Sequence, residues 1–174
     1  ALLAVLFVDI DRFKSINDSL GHDVGDQVLT EFARRVQQCV RKVDTVARQG
    51  GDEFIILLTE LRTAHDAERV AEKIVAAIAA PFVIGEYSLS VAASVGVALY
   101  PDDDDDVNAL IEKADLAMYA AKRHAPGTCL RYAPRMQTQS YSRTILETAL
   151  RHALERNEFA LFYQPRMDLK TRRI

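Results

Sequence analysis

The stretch Arg48-Gln49-Gly50-Gly51-Asp52-Glu53-Phe54 lies between two hydrophobic runs, residues 43–47 before it and residues 54–58 at its end. This pattern predicts two strands joined by a glycine turn, a β-hairpin. Adjacent glycines permit backbone conformations that a Cβ atom forbids. Because side chains alternate along a strand, the two carboxylates after the glycines point to opposite faces. An ordinary hairpin turn has the same composition, so this stretch alone leaves a structural and a functional interpretation open.

The rest of the chain predicts a sheet around this hairpin. Residues 2–8 are a continuous apolar run, typical of a central strand covered on both faces, and Asp9 and Asp11 follow at its carboxyl end. The order of strands and helices predicts an α/β (α+β) fold, a central mixed sheet flanked by helices. In such a sheet the end of the first strand can lie beside the glycine turn. Asp9 would then converge with Glu53 or Asp52.

Periodicity and turn residues predict the remaining elements. A short helix and a loop are expected after Asp11. Helices are predicted over 27–40, 63–80 and 108–123, strands over 81–84, 87–99 and 128–132, and a close backbone approach at Gly96. The run Asp102–Asp106 lacks the ligand spacing of an EF-hand and predicts a solvated turn that places negative charge at a helix N-terminus.

Composition limits the function classes. The 174 residues carry a net charge of -3 with scattered Lys and Arg, so no nucleic-acid partner is expected. Cys39 and Cys129 lack metal-ligand spacing, which favours a reducing compartment. The longest apolar run, residues 1–8, is too short to cross a bilayer, so we expect no membrane contact by this chain. We therefore expect a cytoplasmic location, with membrane tethering through other parts of a longer parent protein left open.

Two or three converging carboxylates repel one another unless a cation lies between them. Hard oxygen ligands at few positions suit Mg²⁺ that also holds substrate phosphates. The implied chemistry is phosphoryl or nucleotidyl transfer. The loop of residues 12–18 would offer backbone N–H groups to phosphates, and Asn17 and Asp26 could bind a base through paired hydrogen bonds.

Several spaced motifs resemble the GGDEF domain of diguanylate cyclases over about residues 1–132. They are Asp9-x-Asp11-x-Phe13-Lys14-x-x-Asn17-Asp18, Gly21-His22-x-x-Gly25-Asp26, Arg48-x-Gly50-Gly51-Asp52-Glu53-Phe54, Ser94-x-Gly96-Val97-Ala98, Tyr100-Pro101 and Ala114-Asp115-x-Ala117-Met118-Tyr119-x-Ala121-Lys122. The resemblance implies a palm-like, nucleotidyl-cyclase-type fold. It also implies that a homodimer condenses two GTP into cyclic di-GMP.

The resemblance assigns roles residue by residue. Asp9 and Glu53, with the Ile10 carbonyl, would hold Mg²⁺ or Mn²⁺, and Asp52 would assist at the signature turn of Gly50, Gly51, Asp52, Glu53 and Phe54. Asn17 and Asp26 would bind guanine. The backbone of Phe13 and Lys14 would cradle phosphates, and Lys122 would contact the terminal phosphates. Arg41 and Asp44 match the RxxD motif of the family's product-inhibition site, where cyclic di-GMP binds; a surface salt bridge at a helix end is the plain alternative.

The last residues resemble the start of an EAL-type phosphodiesterase domain, through Leu150-Arg151-x-Ala153-Leu154-x-x-x-Glu158-Phe159-x-Leu161-x-Tyr163-Gln164-Pro165. The predicted organisation is a GGDEF domain at 1–132, a linker at 133–144 and an N-terminal EAL fragment at 145–174. A helix over 145–156 and a strand over 159–163 are expected within that fragment. The metal-binding carboxylates of an EAL domain lie beyond Ile174, so no phosphodiester hydrolysis is assigned to this chain.

One position departs from the family pattern. After Lys122 the family usually continues with two residues and then Gly-Arg-Asn, whose Arg contacts the GTP phosphates. Here Ala125-Pro126-Gly127 stand in place of Gly-Arg-Asn. Loss of one charge-assisted phosphate contact removes about 1.5 to 3 kcal/mol, or roughly ten- to a hundredfold in affinity. Two functions therefore remain: an active cyclase, and a GTP- or cyclic di-GMP-binding domain of weak activity that regulates a fused EAL phosphodiesterase.

Overall fold

The computed structural model describes residues 2–137, 152, 153, 156, 158–165, 167 and 170. The chain divides into two compact units, residues 1–138 and 139–174. The first unit contains, in chain order, β1 (Leu2–Ile10), α1 (Phe13–Leu20), α2 (His22–Cys39), β2 (Thr45–Gly50), β3 (Glu53–Leu61), α3 (Ala64–Ala79), β4 (Phe82–Ile84), β5 (Tyr87–Leu89), β6 (Ala93–Tyr100), α4 (Val107–His124) and β7 (Cys129–Arg131).

The main sheet has the strand order β2-β3-β1-β6-β7. The strand β1 is central and pairs antiparallel with both β3 and β6, whereas β7 pairs parallel with β6 at the edge. The predicted central strand, the edge strand near residue 130 and the mixed sheet flanked by helices are confirmed. The predicted hairpin is also confirmed, since β2 and β3 pair antiparallel around the glycine turn.

Helices cover both faces of this sheet. On one face, Leu6 and Val8 of β1 join a core with residues of α2 and α3, such as Phe32 and Ile74. On the other face, Val5 and Phe7 pack with residues of α4, and Met118 is part of this second core. The alternation along β1 explains its continuous apolar sequence, because neighbouring residues are buried on opposite faces.

The predicted close approach at Gly96 is confirmed. A Cβ atom at this position would lie 1.9 Å from the Ala114 carbonyl oxygen and 2.2 Å from the Met118 nitrogen. The absence of a side chain at Gly96 therefore allows the backbone of α4 to rest directly on β6. This contact fixes the height of α4 above the sheet.

Two predicted boundaries are wrong. The helix α2 begins at His22 and not at Gln27, because the single residue Gly21, with a positive φ of 87° that favours glycine, connects it to α1. The strand β2 is Thr45–Gly50 and not 43–47, because the Asp44 nitrogen donates to the Arg41 carbonyl and closes a turn there.

The predicted continuous strand over 87–99 is also wrong. It divides into β5, which pairs with β4 in a separate two-stranded sheet, and β6, which pairs with β1. Between them Val91 is buried in the core, and the Ala92 carbonyl accepts a hydrogen bond from the Asp11 nitrogen. The strand ends because its backbone groups change partners from β4 to the end of β1.

The aspartate run forms the predicted turn before α4 and places a carboxylate at the N-terminus of that helix. Asp106 caps α4 by accepting a hydrogen bond from the Ala109 nitrogen at 2.9 Å. Asp103 accepts from the Leu99 nitrogen at 2.7 Å, and Asp104 pairs with Lys113 at 2.5 Å. Each of these three carboxylates therefore has a protein partner.

The first compact unit ends within the segment that the sequence predicts to be a linker, residues 133–144. Residues 134–137 form a helical turn, and Met136 is buried in the same core as Tyr132. The compact unit consequently extends to residue 138. This extension has no periodic signature because it is a single turn anchored by one methionine.

Most of the predicted helix over 145–156 lies outside the described residues. The predicted strand over 159–163 is wrong, because these residues have no regular secondary structure. Phe159, Leu161, Phe162 and Tyr163 are all exposed. A strand needs a neighbour to accept its backbone hydrogen bonds, and the described part of the chain pairs none with this segment. Among the described helices, none combines the length and apolar character that crossing a bilayer requires.

Candidate active site

A row of polar residues crosses three strands at one end of the sheet. Asp9 of β1 is the register partner of Glu53 of β3 and of Ser94 of β6. Directly opposed residues point to the same face, with Cβ atoms about 4.5 to 5.5 Å apart. This is the face covered by α4, since Phe7, two residues before Asp9, packs there. Of the two carboxylates that the sequence offered as neighbours of Asp9, Glu53 is therefore the one on the same face of the sheet.

The end of α4 brings a cation to this row. Lys122 Nζ lies 2.5 Å from Oδ1 of Asp9, and Asp9 is only 7% exposed. Burial raises the pKa of Asp9, the Lys122 ammonium acts in the opposite direction, and the negative charges of Asp52 and Asp11 raise it further. The site is therefore short of positive charge, and Lys122 partly supplies it.

The Arg48 side chain holds the glycine turn, a contact that the sequence did not predict. Arg48 donates two hydrogen bonds to the Gly51 carbonyl, from Nε at 2.9 Å and from a terminal guanidinium nitrogen at 2.7 Å. Gly51 has a φ of 54°, in the left-handed region. The Ile10 nitrogen donates to the Asp52 carbonyl at 3.4 Å, which ties the turn to β1. The position of Arg48 just before the glycines was the available signal.

The segment after β1 places the predicted nucleotide-binding residues. Phe13 is buried and anchors the start of α1, whereas Lys14 is exposed beside it. A Cβ atom at Gly25 would lie 1.9 Å from Oδ1 of Asn17, so the Asn17 amide rests against α2 immediately before the exposed Asp26. The α1–α2 packing thus places Asn17 against the residue that precedes Asp26.

A groove of about 800 Å³ lies between α2 and the hairpin, and its lining includes Asp26, Arg48 and Phe54. Phe54 itself is buried and packs against Phe32, with ring centroids 4.9 Å apart. The signature turn therefore adjoins both the carboxylate row and a groove that is large enough for a nucleoside.

Comparison with known proteins shows the family of this fold. The family model described as "Diguanylate cyclase, GGDEF domain" matches residues 1–127. The chain belongs to the GGDEF family. It is 50% identical over 127 residues to the diguanylate cyclase TpbB of Pseudomonas aeruginosa, an alignment that covers 72% of this chain and 29% of TpbB.

It is also 42% identical over 164 residues to the bifunctional diguanylate cyclase/cyclic di-GMP phosphodiesterase MucR of the same species, covering 94% of this chain and 24% of MucR. A solved structure comprising only the GGDEF domain of TpbB superposes with a TM-score of 0.79 at 44% identity. That match covers 80% of this chain and 82% of the other. The chain thus spans less than a third of the length of these two curated relatives. The fold is that of the palm-like GGDEF structures.

The GGDEF carboxylates suit a hard divalent cation. No group of three or more His, Cys, Asp or Glu side chains that could hold a metal occurs among the described residues. Asp9 and Glu53 supply two carboxylates from adjacent strands, and Asp9 is held in a poorly solvated position. An all-oxygen pair that leaves most coordination positions to water and phosphate fits Mg²⁺ better than it fits a softer metal.

Asp11 has a different environment from Asp9. Its Oδ1 accepts a hydrogen bond from Ser94 Oγ at 2.9 Å, and its Oδ2 accepts one from the Gly127 nitrogen at 2.8 Å. Both carboxylate oxygens are therefore engaged by the protein. The Asp-x-Asp spacing predicts that Asp11 lies near Asp9, but it assigns no role to Asp11.

A further carboxylate, Asp115 of α4, belongs to the same neighbourhood. Burial raises the pKa of Asp115, and the negative charge of Glu53 raises it further. Asp115 lies seven residues before Lys122, so the two side chains occupy the same face of α4. The sequence analysis assigned no role to Asp115, although its presence in the family motif could have pointed to this site.

The departure from the GGDEF pattern is visible after α4. The Ala125 nitrogen donates to the Ala121 carbonyl, and Thr128 Oγ1 donates to the Ala125 carbonyl at 2.6 Å. Residues 125–127 thus form a tight turn without a cationic side chain. Arg123 precedes the turn and is exposed.

The RxxD residues form the salt bridge that the plain interpretation expects. Arg41 contacts Asp44 through its backbone nitrogen at 2.8 Å and through its guanidinium at 3.2 Å, and it also donates to the Thr59 carbonyl. Burial alone would raise the pKa of Asp44, but hydrogen bonds from the Thr59 nitrogen and from Arg41 outweigh it and lower the pKa. Half of the Arg41 side chain remains exposed.

A cavity of about 620 Å³ opens beside this pair. Its lining brings three further cationic side chains to Arg41: Arg62, Arg69 and Lys73. The cavity also contains Glu60 and Asp66, so its charge is mixed. The pair therefore borders a space in which an anion can meet several donors.

Proposed function

We propose that this chain is a metal-dependent diguanylate cyclase, which condenses two GTP into cyclic di-GMP and releases pyrophosphate. The observation that carries the proposal is the Asp9–Glu53 pair across two strands, with Lys122 at Asp9. Oxygen ligands beside an ammonium group suit the triphosphate and its cation. The family membership and the intact signature turn support the same reaction.

Asp9 and Glu53, with the Ile10 carbonyl, hold Mg²⁺ or Mn²⁺ in this proposal. When bound, the cation neutralises charge that develops on the phosphates and favours ionisation of the attacking hydroxyl. Asp52 assists from the turn. Lys122 contacts the terminal phosphates, and the backbone N–H groups at Phe13 and Lys14 bind phosphate oxygens, as amides at a helix start do.

Asn17 and Asp26 bind the guanine base. An amide and a carboxylate together present donors and acceptors that match the guanine edge, and both lie at the α1–α2 junction. Each subunit of a homodimer holds one GTP. The 3′-hydroxyl of each nucleotide attacks the α-phosphorus of the other, and the bond from that phosphorus to the pyrophosphate breaks.

Arg41 and Asp44 form a product-inhibition site for cyclic di-GMP. The half-exposed Arg41 side chain and the neighbouring cationic side chains of the cavity suit a dinucleotide phosphate. Product binding there requires the guanidinium to exchange part of its contact with Asp44 for the ligand. Cyclic di-GMP binding that survives Arg41→Ala would refute this assignment.

A second candidate is a weakly active GTP- or cyclic di-GMP-binding domain that regulates a fused EAL phosphodiesterase. The turn 125–127 favours it, because no cationic side chain extends from it toward the phosphates. Similarity to the bifunctional MucR supports a fusion. In this organisation residues 1–132 are the GGDEF domain, 133–144 the linker and 145–174 the start of the EAL domain, in a cytoplasmic part of the parent protein.

The two candidates differ in product formation. The purified protein is incubated with GTP and Mg²⁺ and assayed for cyclic di-GMP, next to Glu53→Gln and to Glu86→Gln, an exposed glutamate at the β4–β5 turn. The cyclase proposal expects product from the wild type and from Glu86→Gln, and none from Glu53→Gln. Measurable GTP binding without product from the wild type would favour the regulatory domain.

The dimer has a separate test. Sedimentation with 3′-deoxy-GTP, which binds but lacks the attacking hydroxyl, measures assembly in the absence of turnover. If cyclic di-GMP forms at a rate proportional to protein concentration over a range in which sedimentation finds only monomer, then catalysis across a homodimer is refuted.

A further inference from the structure

The turn that replaces the usual phosphate-binding arginine is attached to the strand that carries Asp9. The Gly127 nitrogen donates to Oδ2 of Asp11 at 2.8 Å, and Gly127 has a φ of 74°. A Cβ atom at Gly127 would meet Cβ of Ala92 at 3.4 Å. The amide of this turn is therefore directed at Asp11 by a backbone conformation that favours glycine.

The other oxygen of Asp11 is fixed from the opposite side. Ser94 Oγ donates to Oδ1 at 2.9 Å, and Ser94 is fully buried. A buried hydroxyl without a partner is costly, so the Asp11 carboxylate is held in one orientation. The Asp11 nitrogen also donates to the Ala92 carbonyl at 2.9 Å, which fixes its backbone. Asp11 thus joins the end of β1, the start of β6 and the turn after α4.

Lys122 and Gly127 lie on either side of the end of α4. The Lys122 side chain donates to Asp9, and the Gly127 backbone nitrogen donates to Asp11. Both hydrogen bonds therefore join the end of β1 to the end of α4 and the turn that follows it. The Gly127 link thereby limits how far the last turn of α4, and with it the Lys122 ammonium, can move from β1.

We infer that Asp11 is a positioning residue that holds the end of α4, and so Lys122, in place for the terminal phosphates of GTP. This inference rests on the proposed function. In this inference Asp11 acts through its two oxygens, which accept from Ser94 and Gly127, and it contacts neither substrate nor metal. The tight link compensates in part for the missing cationic side chain at 125–127, since it reduces the entropy that Lys122 loses on binding phosphate.

Two substitutions separate positioning from charge. Asp11→Asn removes the charge but keeps the geometry, because its amide oxygen can accept from Gly127 while its NH₂ donates to the Ser94 hydroxyl, which also accepts. Asp11→Ala removes both links. A metal-ligand role predicts that both variants fail alike, whereas a positioning role predicts that Asn retains function.

The measurements are the dissociation constant of 3′-deoxy-GTP and the hydrogen-exchange protection of the Gly127 amide by NMR. For Asp11→Ala we expect about tenfold weaker binding and loss of Gly127 protection, since one lost hydrogen bond of this strength changes affinity by about that factor. For Asp11→Asn we expect binding within about threefold of the wild type, with Gly127 protection retained. Ser94→Ala keeps the Gly127 link and should stay within about twofold.

The outcomes are distinct from those of the cyclase assay. The inference would be overturned if Asp11→Asn and Asp11→Ala weakened binding of 3′-deoxy-GTP equally, or if Asp11→Ala left binding unchanged. It would also be overturned if Asp11→Ala lowered hydrogen-exchange protection across the whole domain instead of at the end of α4. A wild type that does not bind GTP would overturn it as well. A wild type that binds 3′-deoxy-GTP but forms no cyclic di-GMP refutes the cyclase and leaves the positioning role to be decided by the binding and exchange data.

Discussion

Asp9 and Lys122 are 113 residues apart in sequence, yet Lys122 Nζ lies 2.5 Å from Oδ1 of Asp9. The pair connects the central strand of the sheet to the last turn of α4. Because Asp9 is buried, removal of the ammonium would leave a poorly solvated carboxylate beside Asp52 and Asp11. Lys122 thus serves the site twice in the proposed mechanism, as a counter-charge to Asp9 and as a contact for phosphates.

We predict that Lys122→Gln weakens binding of 3′-deoxy-GTP by about ten- to a hundredfold, since it removes a charge-assisted contact. The pKa of Asp9 should rise further, because the lysine is the cation that acts against the effect of burial. Calorimetric titration measures the affinity, and carboxyl NMR measures the pKa.

The control for this prediction is Arg123→Gln, which removes an exposed cation from the same turn of the helix. Its effect on affinity should stay within about threefold, as expected for a screened surface charge. Equal weakening by the two variants would assign the phosphate contact to general positive charge and not to Lys122.

The glycines of the signature turn should differ in their response to substitution. Gly51 has a φ of 54°, and Gly51→Ala should lower the free energy of unfolding by about 1 to 2 kcal/mol, the cost of placing a Cβ atom in a left-handed conformation. A Cβ atom at Gly50 would meet no other atom within 4 Å, and Gly50 pairs with Glu53 across the hairpin. Gly50→Ala should therefore change stability by less than about 0.5 kcal/mol. Urea denaturation measures both.

Much of the framework could be predicted from the sequence because it depends on local pattern. The apolar run of β1, the periodic stripe of α4 and the glycine turn each carry their own signal, and the structure confirms them. The boundary between α1 and α2 carried less signal, since the single residue Gly21 makes the turn where a longer loop was expected. The break at residues 90–92 depends on which strands pair, and a sequence pattern does not specify that.

The site was predictable to the extent that motifs specify it. The sequence placed Asp9 near Glu53 or Asp52, because the end of a strand and a glycine turn are local features. The strand register then selects Glu53. The contacts of Arg48 with Gly51 and of Asp11 with Gly127 depend on the final positions of side chains. Asp11 and Gly127 are separated by 116 residues, so no local pattern can report their contact.

The acid sensitivity of the fold should depend on Asp104. The hydrogen bond from Lys113 is the main cause that lowers the pKa of Asp104 to about 2, from an ordinary value of 3.8. Because the folded-state pKa lies below the unfolded one, this pair stabilises the fold above about pH 4 and loses that contribution as the pH falls toward about 2.

We therefore expect the stability difference between the wild type and Asp104→Asn to be constant near neutral pH and to shrink between about pH 4 and 2. Denaturant unfolding at several pH values measures this difference. Lys113→Gln removes the other member of the pair and should reduce the same acid dependence. If the stability difference between the wild type and Asp104→Asn stays constant down to about pH 2, the Asp104–Lys113 pair does not cause the loss of stability in acid.

Two close glycine contacts should separate stability from nucleotide binding. At Gly96, a Cβ atom would collide with backbone atoms of α4, which cannot move without shifting the helix, so Gly96→Ala should destabilise the fold by about 3 kcal/mol or more.

At Gly25 the colliding atom is Oδ1 of Asn17, the end of a side chain that can rotate away. Gly25→Ala should therefore lower the free energy of unfolding by only about 1 kcal/mol, while it displaces the amide that binds guanine in the proposed site. Affinity for 3′-deoxy-GTP should fall by about tenfold or more, as for the loss of a base-binding hydrogen bond. Asn17→Ala should reproduce the loss of affinity, and the double variant should be no worse than either single one, because both act through the same side chain. Additive losses would show that Gly25 contributes to binding independently of Asn17.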